Sequence, residues 1–119
     1  MKICVTSTGN DKKFSIDSRF GRCNYFAIYD DKTEKFDFIL NPGTNATQGS
    51  GIVAAQKLVD LNVNAVITGK VGPNAMEVLK NSNIKIYRAK GETVEEALAS
   101  FKEKNLLEIT SPVPAHSGI

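Results

Sequence analysis

The sequence contains few of the residues from which disulfide frameworks, zinc sites and nucleophilic catalytic groups are built. It has two cysteines and one histidine among 119 residues. Cys4 and Cys23 are too few for a disulfide scaffold and lack the C-x-x-C spacing. A zinc site needs about four ligands, which the Cys and His residues here cannot supply. A catalytic pair would have to recruit His116 from the segment predicted below to be a tail, so we expect none.

Long apolar runs and an excess of charge are also lacking. No run approaches the ~20 apolar residues that cross a bilayer. The first apolar residues give way to Thr6-Ser7-Thr8 too early for a signal peptide. Fifteen Lys and Arg against thirteen Asp and Glu leave a net charge of +2, too small for a nucleic-acid or anionic-membrane surface. We expect a soluble cytoplasmic protein with no nucleic-acid or membrane partner.

What remains is the composition of one globular domain. Hydrophobic residues make up 41% of the chain and charged residues 24%, which are ordinary values. A chain of this length buries roughly two-thirds of the surface that it exposes when unfolded. We assign residues 1–107 to the domain. Residues 108–119, which include Pro112 and Pro114, are expected to form a flexible tail.

Apolar runs of strand length dominate the first half of the chain. Residues 3–5, like residues 65–67 further on, are short apolar runs typical of strands buried on both faces. Residues 25–29 and 35–40, separated by turn-forming residues 30–33, predict a hairpin. Residues 84–87 predict a fifth strand.

Three helices are predicted by apolar residues at helical spacing and by the residues that begin and end them. Ser50 is the expected N-cap of the first helix, and Asn62 the left-handed residue after it. Pro73 is expected at the first position of the second helix. Thr93 and Glu96 form the capping-box pattern of the third.

The resulting order, βββ followed by αβαβα, predicts the fold. Strand–helix–strand alternation requires parallel neighbours joined by right-handed crossovers, and the initial meander makes the second strand antiparallel. We expect an α/β protein with a mixed five-stranded sheet in the order 3-2-1-4-5, flanked by helices in three layers. This is the order of elements in the ribonuclease H-like fold. Residues 3–5 and 65–67 should be the most buried strands.

The carboxyl ends of the parallel strands predict a ligand site, since ligands usually bind at that edge. Three helices are expected to begin there, each with unpaired N–H groups and partial positive charge. Together with nearby Arg and Lys residues these favour an anion, and glycines let it approach the backbone. The candidate binding residues are Arg19, Phe20, Gly21, Arg22, Gly49, Ser50, Gly51, Gly69, Lys70, Gly72, Asn74, Gly91 and Thr93.

Residue patterns do not identify the anion. No segment matches G-x-x-x-x-G-K-[ST] or follows a strand as G-x-G-x-x-G. Cys23 stands beside Arg22 and near Arg19, cations that favour the thiolate, which is a soft metal ligand. It is the candidate metal ligand, and the alternative is that it packs as a small buried residue. Cys4 is expected only to pack, and the two cysteines are not expected to meet.

Nuclease chemistry is not expected on this fold. It would need a cluster of carboxylates that holds two metal ions. Residues 3–8, 51–56 and 65–69, where such acids would lie, contain none. Asp17 is the one acid expected near the ligand edge. We predict no catalytic residues and no hydrolysis of RNA or DNA.

Several ordered motifs resemble a known family. They are Arg19-Phe-Gly-Arg22, Gly49-Ser-Gly51, Thr68-Gly-Lys-Val-Gly-Pro-Asn-Ala75 and Gly91-x-Thr93-Val-Glu-Glu-Ala97. From Met1 to about Leu107 the sequence resembles the dinitrogenase iron–molybdenum cofactor biosynthesis family. The resemblance implies a ribonuclease H-like fold and a non-enzymatic carrier of an anionic metal–sulfide cluster. That cargo would be iron–molybdenum cofactor, a precursor or a related mixed-metal cluster, exchanged with a donor or acceptor protein.

Two other functions remain open at this point. The same edge could bind a small phosphate or carboxylate in a regulatory or enzymatic domain, or the chain could be a protein-interaction module without a ligand. A bound cluster would add visible absorption, which a metabolite would not.

Overall fold

A computed structural model describes residues 1–113, so His116 and the end of the predicted tail lie outside the described residues. The chain begins with three strands, continues as a strand–helix alternation and contains two short 3-10 turns. The strands are β1 (Lys2–Ser7), β2 (Tyr25–Asp30), β3 (Lys35–Leu40), β4 (Ala65–Thr68) and β5 (Lys85–Arg88). The helices are α1 (Ser50–Asp60), α2 (Pro73–Asn81) and α3 (Val94–Lys102), and the 3-10 turns are Phe20–Arg22 and Pro42–Asn45.

The strands form one mixed sheet in the order β3-β2-β1-β4-β5. β2 is antiparallel to both β1 and β3, whereas β1, β4 and β5 are parallel. The predicted order and directions are confirmed. Successive side chains alternate between the two faces of the sheet. Cys4 and Val66 therefore face α1 and α2, whereas Ile3 and Ile67 face α3.

This three-layer arrangement buries the two central strands on both faces. Residues 3–5 of β1 and 65–67 of β4 are at most 2% exposed, as predicted. α1 and α2 lie side by side against one face of the sheet and share its core with Phe20 and Phe26. α3 packs against the other face through Val94, Ala97 and Leu98.

Most helix-boundary predictions are confirmed. Asn62 has a φ of 58°, Pro73 opens α2, and the Thr93–Glu96 capping box forms at α3. The N-cap prediction for α1 is wrong by one residue. Gly49, with a φ of 67°, is the N-cap and Ser50 is the first helical residue. A left-handed cap suits glycine, which has no Cβ to clash with the backbone.

Residues 108–113, predicted as the start of a flexible tail, contact the domain at three positions. Glu108 pairs with Tyr87 of β5, and the Ile109 N–H donates to Ile86 O at 2.7 Å. Ile109 is only 7% exposed, because its side chain completes the core beside the edge strand. The Val113 N–H donates to Val71 O at 3.0 Å. Contacts with the domain thus extend beyond residue 107, to Ile109 and Val113.

Candidate functional site

The buried amide of Asn41 joins the two 3-10 turns on the α1 side of the sheet. Its Nδ2 donates to Cys23 O at 2.9 Å and to Gly21 O at 3.2 Å. Its Oδ1 accepts from the Gly43 N–H at 2.8 Å. Asn41 is 1% exposed, so these bonds replace water completely. The conformation of the Phe20–Arg22 turn therefore depends on a residue about twenty positions further along the chain.

Two glycines let backbone segments touch at this end of the sheet. A Cβ on Gly21 would lie 2.9 Å from the backbone N and Cα of Gly51, and one on Gly69 would lie 2.8 Å from Ser18 O. The loop before the Phe20–Arg22 turn is also bonded to the loop after β4, since the Lys70 N–H donates to Ser18 O at 2.6 Å. These contacts bring the predicted segments around residues 19–22, 49–51 and 69–74 together.

The N-termini of α1 and α2 also contact each other. A Cβ on Gly51 would lie 3.1 Å from Ala75 Cβ. Between them lies a cavity of about 70 Å³, whose lining residues are Gly49, Gly51, Ile52, Gly72, Pro73, Asn74 and Ala75. The first-turn N–H groups of residues 50–52, 74 and 75 make no hydrogen bond within residues 1–113. They give the cavity a partial positive charge.

The N-terminus of α3 does not join this cavity, so the prediction of three convergent helices is wrong. α3 lies on the opposite face of the sheet. Its first N–H groups are already used: Val94 N–H donates to Phe14 O, Glu95 N–H to Lys12 O and Glu96 N–H to Thr93 Oγ1. Residues 12–16 fold over the start of α3 and take the donors that an anion would need. Gly91 and Thr93 therefore do not line the cavity between α1 and α2.

The positive side chains at this edge differ in their pairing. Arg19 donates through Nε to Asp17 Oδ1 and through Nη2 to Asp17 Oδ2, both at 3.2 Å. Hydrogen bonding to Asp17, followed by its negative charge, raises the pKa of Arg19 above its usual value. Arg22 and Lys70 are exposed, and their side chains make no ion pair within residues 1–113. The positive charge of Arg19 is thus balanced by Asp17, whereas the positive charges of Arg22 and Lys70 are not balanced by an ion pair within residues 1–113.

Phe20 and Cys23 are core residues rather than open binding groups. Both are 0% exposed, and the Phe20 ring stacks on Phe26 at a centroid distance of 6.1 Å. The Cys23 thiol donates to Phe20 O at 3.4 Å. Burial, with a smaller contribution from Asp17, raises the pKa of Cys23 to about 12. The expectation that neighbouring cations favour its thiolate is wrong, because desolvation outweighs them.

The two cysteines are closer in the fold than their positions suggested. Cys4 and Cys23 are both free thiols and belong to the same core cluster. Burial raises the pKa of Cys4 well above its usual value, and the charge of Cys23 raises it further. Both are therefore protonated at neutral pH.

Clusters of metal-ligating side chains and membrane-spanning helices are both absent from the part of the chain that the structure describes. Among residues 1–113, no three His, Cys, Asp or Glu side chains are grouped so that they could hold a metal ion. None of the helices there has the length and hydropathy of a membrane span.

The structural roles of two residues, Asn41 and Asp17, were not predicted from the sequence. The sequence indicates no structural role for Asn41, and it marks Asp17 only as an acid near the ligand edge. The i, i+2 spacing of Asp17 and Arg19 is a local signal that could have indicated their pairing. Nothing local indicates the two carbonyl groups, of Gly21 and Cys23, to which Asn41 donates, because they lie about twenty positions earlier in the chain.

Known proteins resemble this chain over nearly its whole length. An uncharacterized protein of Methanocaldococcus jannaschii is 29% identical over 109 residues, which is 89% of each chain. The apo form of the orange protein from Desulfovibrio gigas has a TM-score of 0.89 at 31% identity, over 94% of this chain and 95% of that one. A Thermotoga protein described as NifB-like has a TM-score of 0.83 at 35% identity, over 94% and 96% of the two chains.

The family assignment agrees with these neighbours. The sequence model described as "dinitrogenase iron-molybdenum cofactor" matches residues 1–104, which include every candidate binding residue named above. On this match the chain belongs to the dinitrogenase iron-molybdenum cofactor family.

Proposed function

We propose that this protein binds and carries an anionic metal–sulfide cluster, namely iron–molybdenum cofactor, a precursor or a related mixed-metal cluster. The observation that carries the proposal is the pair of adjoining helix N-termini at α1 and α2. The anion site is defined here as the N–H groups of residues 50–52, 74 and 75 together with the side chains of Arg19, Arg22 and Lys70. Membership of a cofactor family supports a role related to cofactor biosynthesis.

The geometry suits a ligand that rests on the protein rather than inside it. A cavity of about 70 Å³ admits only a few atoms, so one sulfide or oxygen would enter it while the rest of the cluster stays outside. Backbone N–H groups donate to that atom without a change of protonation. Arg22 and Lys70, which are exposed, would then balance the remaining negative charge.

The site favours binding over catalysis. It offers donors and positive charge, and its neighbouring carboxylate, Asp17, is occupied by Arg19. A carrier also needs a protein from which it takes the cluster or to which it delivers it, and we propose such a partner. The relative solved as an apo form supports a bound group in this fold.

A small phosphate or carboxylate is the second candidate ligand. The size of the cavity favours it, because helix N-termini bind compact oxyanions in the same way. The two functions differ in what a spectrum shows. We would titrate protein purified without oxygen with tetrathiomolybdate, which absorbs visible light, and in parallel with inorganic phosphate. Preference for phosphate would favour the second function.

Replacing Arg22 by alanine should weaken tetrathiomolybdate binding about ten- to a hundredfold. A charge-assisted hydrogen bond contributes about 1.5–3 kcal/mol, which converts to that range. The melting temperature should hardly change, because Arg22 is exposed. Lys32→Ala is the control, since it removes the same charge from the β2–β3 turn, at the other end of the sheet. Equal binding by Arg22→Ala and the wild type would show that the site is misplaced.

Cys23 remains the proposed protein ligand of the metal, although ligation requires that its buried thiol be uncovered and lose its proton. Its substitution separates ligation from packing. Serine oxygen is a poor ligand for soft metals, so Cys23→Ser should lose bound metal during gel filtration while the wild type retains it. Cys4→Ser is the control for the introduction of a buried hydroxyl. Metal counts that match the wild type would show that the Cys23 sulfur only packs against the Phe20–Arg22 turn.

A further inference from the structure

A fixed carboxylate lies beside the anion site, although a site for anions has no evident use for one. The side chain of Asp17 is 9% exposed, whereas that of its partner Arg19 is 54% exposed. Asp17 is also anchored by its backbone: its N–H donates to Thr6 O at 2.8 Å, and its carbonyl accepts from Thr6 Oγ1 at 2.6 Å. The carboxylate is therefore the fixed member of the pair.

The pairing leaves Arg19 able to bind a ligand but cancels its charge. Asp17 takes the Nε–H and one Nη2–H of Arg19. Of the five N–H donors of a guanidinium, three remain for a ligand. An anion on those donors would lie within several ångströms of the Asp17 carboxylate and be repelled by it.

We propose that Asp17 is a specificity-determining residue that lowers the preference of the anion site for highly charged ligands. The proposal rests on the proposed function and names the charge selectivity of that same site. Coulomb repulsion grows in proportion to the charge of the ligand. The attraction of Arg22, Lys70 and the five backbone N–H groups also grows with ligand charge, so the site still attracts anions. Asp17 reduces the gain in affinity that each additional negative charge brings. A carrier with such a penalty holds its cargo less tightly and releases it more readily.

The test uses two probes of the same shape and different charge, tetrathiomolybdate (a dianion) and tetrathiorhenate (a monoanion). Asp17→Asn removes the charge of the side chain. Its Oδ1 can still accept from the backbone N–H of Arg19, a hydrogen bond that measures 3.0 Å in the wild type. We expect it to tighten binding about tenfold for the dianion and about threefold for the monoanion, because repulsion doubles with charge. Absorption titrations measure both affinities.

Asp30→Asn is the matched control. Asp30 makes the same kind of bond to a backbone N–H two residues on, that of Lys32 at 2.9 Å, and lies at the opposite end of the sheet. Asp30→Asn should change neither the affinity for tetrathiomolybdate nor that for tetrathiorhenate. Asp17→Ser, whose hydroxyl can also accept from the Arg19 N–H, replaces Asp17→Asn if melting curves show that the latter is unfolded.

The outcomes separate this inference from the proposed function. Weaker binding by Asp17→Asn, or equal tightening for both probes, would overturn the inference alone. The first would show that Asp17 only positions Arg19, and the second that charge is not involved. Failure of both the wild type and Asp17→Asn to bind either probe would overturn the proposed function and the inference with it.

Discussion

Replacing Asn41 by alanine is expected to lower the free energy of unfolding by about 3–5 kcal/mol. The change removes two donated bonds and one accepted bond from a side chain that is 1% exposed. The Gly43 N–H and the Cys23 carbonyl would then be buried without these partners, and each such group costs about 1–3 kcal/mol. Chemical denaturation should show a lower midpoint with an unchanged m value.

Two further variants test the cause of that loss. Asn24→Ala is the control, since its exposed Nδ2 bonds only to Thr8 O, at 3.2 Å, and it should cost less than about 1 kcal/mol. Asn41→Asp keeps the acceptor for Gly43 but removes both donors, so it should still be strongly destabilised. A loss below about 1 kcal/mol for Asn41→Ala would mean that the two 3-10 turns are not held by this amide.

Stability above about pH 9 is expected to fall more steeply in the wild type than in a Cys23→Ala variant. The pKa of Cys23 is about 12 in the folded protein, compared with about 8.5 for a free thiol. The fold therefore favours the protonated thiol. This contribution is complete below about pH 8.5 and is lost as the pH rises towards 12, at about 1.4 kcal/mol per pH unit.

Urea unfolding under reducing conditions from about pH 8 to about pH 11 would measure the difference in slope. Cys23→Ala should be less stable than the wild type at neutral pH, because its substitution leaves a cavity, but only the slope reports the titration. Cys4→Ala should also flatten the curve, since burial raises the pKa of Cys4 in the same direction. Parallel curves for the wild type and Cys23→Ala would show that the Cys23 thiol is open to solvent.

The order of the sheet was determined by the sequence, because it depends on local patterns and on one general rule. Apolar runs and helical spacing mark the elements, and right-handed crossovers then leave the order 3-2-1-4-5. The starts of α2 and α3 could also be predicted from the sequence. Pro73 and the Thr93–Glu96 box act within one turn of a helix, so no distant contact can change their meaning. The predicted start of α1 was wrong by one residue, because Gly49 adopts a left-handed conformation and takes the N-cap position instead of Ser50.

That the segments around residues 19–22, 49–51 and 69–74 come together was predicted, whereas the chemistry of this candidate site depended on tertiary contacts. Arg22 and the glycine segments around residues 49–51 and 69–74 do meet at one edge, because each follows or precedes a strand of known direction. The positive charge of Arg19 is balanced by Asp17, which the sequence motif does not indicate. Burial raises the pKa of Cys23 and so keeps its thiol protonated, although the sequence indicated a thiolate. Charge and protonation depend on solvent exposure, which no short pattern records.

What only the tertiary structure decided shares one physical cause: contacts between residues far apart in the chain. The loop at residues 12–16 occupies the donors of α3, about eighty positions away. Asn41 orders a turn about twenty positions before it, and Ile109 closes the sheet beside Ile86. The sequence by itself determined which elements form and in what order they pair, since these follow from local periodicity. Which donors, charges and thiols remain available to a ligand was decided by packing, because each buried polar group takes the nearest partner that the fold provides.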